Sequence, residues 1–282
     1  MRKSSPHSRL LILILALLAG WPGAVTSQDF LDADEVILIG GASAGLAVLG
    51  EVALKTDKPR PPLIAGPLPL ESRLQRLLGG SYHTGKTNFL DSDLGSLATP
   101  MIAGAVVLSA DLAWSVGDEG RTALQDFHLF ASGLVATKGI TSVFKGLTAR
   151  ERPLLRLHPD RAARRDEVDA LEDRRSFFSG HASSSFFAAT FLNKRLRAIM
   201  RARMAPGEYR DWRWAPPALL FGWASFVGWS RIHAYKHFVS DVLVGAMAGY
   251  LLAELFHSFG EKAYSDTIEE PPPALIKITL RF

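Results

Sequence analysis

Cysteine is absent from the whole 282-residue chain. That excludes a disulfide framework, a thiolate-held zinc or iron–sulfur centre, and cysteine nucleophiles. Strand signals are nearly absent too, apart from a partly alternating tail, Leu275 to Phe282, behind Pro271, Pro272 and Pro273. Its 16 prolines follow no period and no internal repeat is found, so fibrous and solenoid architectures drop out. A charged fraction of 21% with 10% aromatics and 48% hydrophobic residues excludes a disordered chain and leaves ample material for a core.

A lasting excess of one charge sign is also missing. The formal charge is +4, yet Arg2, Lys3 and Arg9 sit ahead of the apolar run Leu10 to Leu18 and the small residues up to Ser27. A positive start, an apolar middle and a small-residue cleavage site read as a secretory signal, cut after Ser27. Removing three of 32 basic residues, with no Asp or Glu before Asp29, leaves 29 basic against 28 acidic residues. A near-neutral mature chain gives no footing for nucleic acid. The alternative reading of this stretch is an uncleaved anchor helix.

What remains is helical in pattern. Val36 to Gly50 is apolar and Gly-rich, either a closely packed buried helix or a short span. Lys58 to Pro69 is a proline-rich connector, and Glu71 to Leu78 has helical spacing of Leu74, Leu77 and Leu78. Five longer helical blocks follow: Leu94–Val116, Ala123–Leu147, Ser179–Arg203, Pro217–Trp229 and Phe238–Phe259. Long charge-free runs are lacking, because Asp111, Asp126, Lys138, Asp241 and Glu254 interrupt the blocks. Such charges fit a buried bundle or helices lining a polar site. A soluble or peripheral exported protein is therefore placed ahead of a polytopic one. The basic cluster Lys194, Arg195, Arg197, Arg201 and Arg203 is the main argument for the membrane.

Three clusters carry chemistry. Lys145, Arg152 and Arg231 are cations at the ends of apolar blocks, and converging cations suit a tetrahedral oxyanion. Ser179 and Gly180 precede an apolar helix, whose first N–H groups attract anions and whose glycine lets a ligand approach. His237 and Asp241 are four apart, on one face if helical, so the carboxylate can fix the imidazole tautomer and leave the other nitrogen to attack. His181 is a second imidazole, able to protonate a leaving alkoxide. Each piece alone has a structural reading: a helix end in a polar loop for the cations, an N-cap for Ser179, a packing contact for the His237–Asp241 pair.

Taken together and in order, Lys145-x6-Arg152-Pro153, Phe178-Ser179-Gly180-His181 and Ser230-Arg231-x5-His237-x3-Asp241 resemble the three-part signature of the type 2 phosphatidic acid phosphatase superfamily. That superfamily includes bacterial acid phosphatases, lipid phosphate phosphatases and vanadium haloperoxidases. Phe178 stands where the family usually has proline, a turn position and not a reacting group. The resemblance covers about Leu94 to Phe259. It implies an all-α helical bundle with the active site at one end of the helices. It implies His237 as nucleophile through a phosphohistidine, Asp241 as its orienter and His181 as general acid. Lys145, Arg152, Ser179, Gly180 and Arg231 would hold the phosphate, with no metal and no cofactor.

The expected organisation is a signal peptide over 1–27, an apolar segment and Pro-rich connector over 28–93, a phosphatase domain over 94–262 and a tail over 263–282. The expected activity is exported hydrolysis of phosphomonoesters or diphosphates, lipid phosphates first, at the periplasm or cell envelope, with a membrane surface as a further partner. Trp212, Trp214, Trp223 and Trp229 hint at an amphiphilic substrate, and equally fit a core. A vanadate-dependent haloperoxidase is the same-fold alternative. Gly80 to Thr87 also fits G-x-x-x-x-G-K-[ST], a nucleotide-binding pattern. That mechanism needs a strand before the loop and a helix after it, and neither is legible here.

Overall fold

The structure, a computed structural model, describes residues 31, 33–54, 67, 69–80, 100–105, 109, 119–162 and 172–265. The signal segment, most of Leu94–Val116, the nucleotide-like motif beyond Gly80 and the C-terminal tail lie outside the described residues. The helices are α1 (Ala33–Leu54), α2 (Pro69–Leu78), α3 (Glu119–Thr148), α4 (Pro153–Leu157), α5 (Pro159–Ala162), α6 (Gly180–Arg203), α7 (Pro206–Trp212), α8 (Ala215–His233) and α9 (Val239–Ser265). No strand occurs among the described residues, so the all-α expectation holds.

Local chemistry sets several helix starts. Pro153 and Pro206 open α4 and α7, where a missing N–H costs nothing. Ser179 caps α6 by accepting from the Ala182 N–H at 3.4 Å. At the head of α9, Asp241 accepts the Phe238 N–H at 2.9 Å, the carboxylate half of a capping box.

The long helices pack as a bundle, α3 mainly on α1, and α6 on both α8 and α9. Phe130 of α3, Phe187 and Phe191 of α6 and Phe256 of α9 fill the centre, with Phe187 ring centroids 5.9 Å from Phe130 and 6.1 Å from Phe256. Backbones touch where side chains vanish. A Cβ on Gly139 would sit 2.5 Å from the Leu46 carbonyl carbon, and one on Gly249 would sit 2.1 Å from the Ser183 carbonyl oxygen.

Apolar side chains also cover much of the outside. Ile37, Leu38 and Val52 of α1 and Leu243, Met247 and Leu251 of α9 are exposed. Among the described residues, three segments are long and apolar enough to cross a membrane: Ala33–Val52, Ala123–Leu157 and Val239–Gly260. Backbone groups satisfied within helices, with leucine and isoleucine outward, are what hydrocarbon tolerates. Membrane association thus takes precedence over the soluble reading. Of the interrupting charges that favoured the latter, Asp241 turns inward, Asp126 pairs with Arg195 at 2.9 Å and Glu254 with Lys194 at 2.6 Å, while Lys138 is exposed and Asp111 lies outside the described residues.

Candidate active site

One end of the bundle gathers the chemistry. There α3 and α8 finish while α6 and α9 begin, and three loops, 149–152, 172–179 and 234–238, cross between them. Backbone hydrogen bonds tie these loops together: Arg152 N–H to Asp173 O at 2.7 Å, Ser176 N–H to Arg150 O at 2.8 Å, Leu154 N–H to Tyr235 O at 3.2 Å and Ser179 N–H to Asp241 O at 3.0 Å. Tyr235 turns the chain out of α8 with φ +56°, a left-handed conformation uncommon for residues other than glycine. Its ring is held edge-on to His158, 4.7 Å between centroids.

His237, 2% exposed, follows this turn. Its Nδ1 lies 2.7 Å from the Ser176 carbonyl oxygen. A carbonyl only accepts, so Nδ1 carries the proton and Nε2 keeps its lone pair. Burial holds the imidazole well below its usual pKa, and the positive charges of Lys145, Arg152, Arg231 and His181 push it lower still. His237 is therefore neutral at physiological pH. These four groups, from separate parts of the sequence, are thus near enough for their charges to act on one imidazole.

The direct His237–Asp241 bond expected from their spacing is not made: Nδ1 and Oδ2 are 3.9 Å apart. The four-residue rule requires helix at both positions, and His237 precedes α9. Asp241, fully buried, instead accepts from Ser176 Oγ at 2.5 Å, from the Phe238 N–H and from the Arg150 guanidinium. It grips the residues on either side of the imidazole: Ser176, whose carbonyl receives Nδ1–H, and Phe238, next in the chain.

Arg152 and Arg231 are buried, as are Ser179 and Gly180. Arg152 bonds Asp173 at 3.3 Å and Glu172 at 3.1 Å. Glu172 and Asp173 thus supply two carboxylates that aim a cation, while the neighbouring Asp166, Glu167 and Asp169 lie outside the described residues. Lys145 reaches Gly180: a Cβ there would sit 3.9 Å from its Nζ. His181, half-buried in the first turn of α6, shares this end. Of the tryptophans, Trp229 faces His233 at 4.8 Å, whereas Trp212 and Trp214 follow the far end of α6, away from the site.

Sequence reasoning missed Arg150, Ser176 and Glu71. Arg150 sits inside the first motif's variable stretch, and its partners Asp241 and Glu71 are 91 and 79 residues away, so no local pattern joins them. Among the described residues, no group of three or more His, Asp or Glu side chains is placed to hold a metal ion. The nucleotide-like motif is preceded by helix α2, not a strand, and its first glycine donates its N–H to the His233 carbonyl at 3.0 Å. That context is wrong for a phosphate-cradling loop.

Residues 127–265 match the model of the PAP2 superfamily. Phospholipid phosphatase 2 of Homo sapiens is 29% identical over 212 residues, covering 64% of this chain and 69% of that protein. Phospholipid phosphatase 1 of Mus musculus is 37% identical over 106 residues, 36% of this chain and 35% of that one. A solved structure, of a transmembrane PAP2 type phosphatidylglycerolphosphate phosphatase from Bacillus subtilis, superposes with TM-score 0.42 at 17% identity over 90% of this chain and 96% of that one. The two curated relatives are phosphatases by name, and the halide-oxidising alternative gains nothing from them.

Proposed function

Residues 127–265 make the chain a member of the PAP2 superfamily and a phosphoric ester hydrolase, and from that membership we propose that it removes phosphate from lipid phosphates through a phosphohistidine on His237. The carrying observation is the Nδ1–H bond to the Ser176 carbonyl, which leaves Nε2 as a neutral lone pair amid cations.

The reaction has two halves. Nε2 attacks phosphorus, the bond from phosphorus to the lipid oxygen breaks, and His181 gives that oxygen its proton. His181 then takes a proton from water, the water oxygen attacks phosphorus, and the N–P bond breaks to release phosphate. Lys145, Arg152 and Arg231 neutralise the phosphoryl oxygens, and the Gly180 N–H at the start of α6 adds a helix-end dipole. Ser179 accepts a bond as N-cap and still has a hydroxyl proton to donate, so its capping and phosphate-binding roles coexist.

The depth of the site supports a lipid substrate. The 27 residues of α9 span about 40 Å at ~1.5 Å per residue, against a hydrocarbon core of about 30 Å. A site at the head of α9 therefore lies at headgroup level. The far end of α6, with α7 and the turn after it, carries Arg201, Arg203, Arg210 and Arg213 with exposed Trp212 and Trp214, the composition of a cytoplasmic boundary. The site then faces the exported side, in keeping with the signal-like start. Purified protein should release phosphate from phosphatidic acid and related lipids faster than from soluble esters. It should also form an acid-labile, base-stable phosphoenzyme that His237→Ala abolishes. Preference for soluble esters would overturn the lipid assignment, and a phosphoenzyme surviving His237→Ala would overturn the mechanism.

A further inference from the structure

Helix α2 lies before the stretch that matches the family model, and it is packed inside out. An amphipathic helix ordinarily buries its leucines. Here Leu70 and Leu77 are 65% and 79% exposed, while Glu71 and Gln75 are buried. Burying a carboxylate and an amide is unfavourable unless they bind partners that require them.

Their partners surround the His237 turn. Glu71 Oε2 accepts from Arg150 Nη2 at 2.9 Å. The Arg150 Nη1 donates to Ser240 Oγ at 2.8 Å and to Asp241, and the guanidinium lies 4.8 Å from the centre of the Phe238 ring. Gln75 Nε2 donates to the Ile232 carbonyl at 2.7 Å, next to Arg231 at the end of α8. The chain beyond α2 then docks through the Gly80 N–H on the His233 carbonyl. The last carbonyls of a helix lack intrahelical partners, and α2 with the residues just after it donates to two of them, the Ile232 carbonyl also accepting the Tyr235 N–H at 3.1 Å.

We propose that Glu71 and Gln75 of α2 are positioning residues for the phosphoryl-transfer step, acting on His237 through Arg150–Asp241 and through the Ile232 carbonyl. This inference rests on the reading of His237 as nucleophile. A guanidinium held by two carboxylates and a hydroxyl has one orientation, which Asp241 transmits to Ser176 and Phe238 on both sides of the imidazole. Glu71 and Gln75 bond Arg150 and the Ile232 carbonyl, whereas Arg152 is held by Glu172 and Asp173, so loss of turnover and loss of phosphate binding are separable readouts.

The test is a set of variants assayed on phosphatidic acid in detergent micelles. Glu71→Gln should lower kcat by roughly 10- to 10²-fold with KM and competitive inhibition by inorganic phosphate unchanged. Glu71→Gln combined with Arg150→Gln should be no slower than Arg150→Gln alone. Arg73→Gln, exposed on the same helix, should behave as wild type. Wild-type kcat in Glu71→Gln, beside an inactive His237→Ala, overturns the inference and leaves the nucleophile assignment standing. Activity in His237→Ala overturns both. Joint loss of kcat and phosphate inhibition makes Glu71 merely structural, and additive losses in the double variant exclude the Arg150 route.

Discussion

The tautomer of His237 is fixed by a backbone carbonyl, and the immediate consequence is a division of labour between the two histidines. His237→Ala should abolish turnover. His181→Ala should slow lipids and alkyl phosphates far more than aryl phosphates, because only a poor leaving group needs the proton. Equal losses across a leaving-group series would remove the distinction. The depressed pKa of His237 also couples folding to pH. Unfolded imidazole titrates near ~6.5, so below that pH the unfolded chain binds more protons than the folded one. The stabilisation is complete above about pH 6.5 and is lost as pH falls toward the folded-state pKa. Thermal unfolding followed from pH 8 to pH 5 should show the midpoint dropping with acid, less steeply in His237→Asn; parallel slopes would remove this coupling. At this scale the sequence was most legible for Lys145, Arg152, Arg231 and the two histidines, whose spacing sits in short, fixed motifs. Asp241 was found but its contact was not, since its geometry depends on where α9 starts. Arg150 and Ser176 escaped because their roles exist only once distant loops meet.

Helices were legible where apolar spacing persists, and less so where the site interrupts it. The apolar run read as Pro217–Trp229 continues as α8 to His233, because Ser230 and Arg231 are polar yet buried in helix. The hydrophobic pattern ends where the chemistry begins, one turn before the helix does. Glycine was similarly ambiguous. Gly41 and Gly45 in the conspicuous Gly-rich stretch have nothing within 4 Å of a Cβ, whereas Gly50, Gly139 and Gly249 meet neighbouring backbone. Gly249→Ala should therefore separate α9 from α6 and cost about 1–3 kcal/mol. Gly222→Ala in α8, with open space around it, should stabilise the helix by up to about 1 kcal/mol. Denaturation of the two variants in the same detergent measures both signs, and a tolerated Gly249→Ala would show that the helices can slide apart without loss.

At the scale of the whole molecule, the lack of cysteine makes orientation measurable. Single cysteines at exposed Arg174, beside the site, and exposed Arg210, at the far end, give two labels on a silent background. Arg174→Cys should react with an impermeant maleimide in intact cells, and Arg210→Cys only after permeabilisation. The opposite pattern would place the site in the cytoplasm, and equal labelling would argue against a spanning bundle. Soluble-versus-membrane character was the least legible property, since inward-turned charges lower the apparent hydropathy of helices whose outer faces are apolar. The loop-to-loop bonds at the site end have a dynamic consequence. The amides of Arg152, Leu154, Ser176 and Ser179 each bond a different loop or helix end, so none can open alone without loosening its neighbour. In deuterated buffer these four should exchange at one common rate, slower than isolated turns and set by a single concerted opening. A phosphate or vanadate bridging the same loops should slow all four by the same factor.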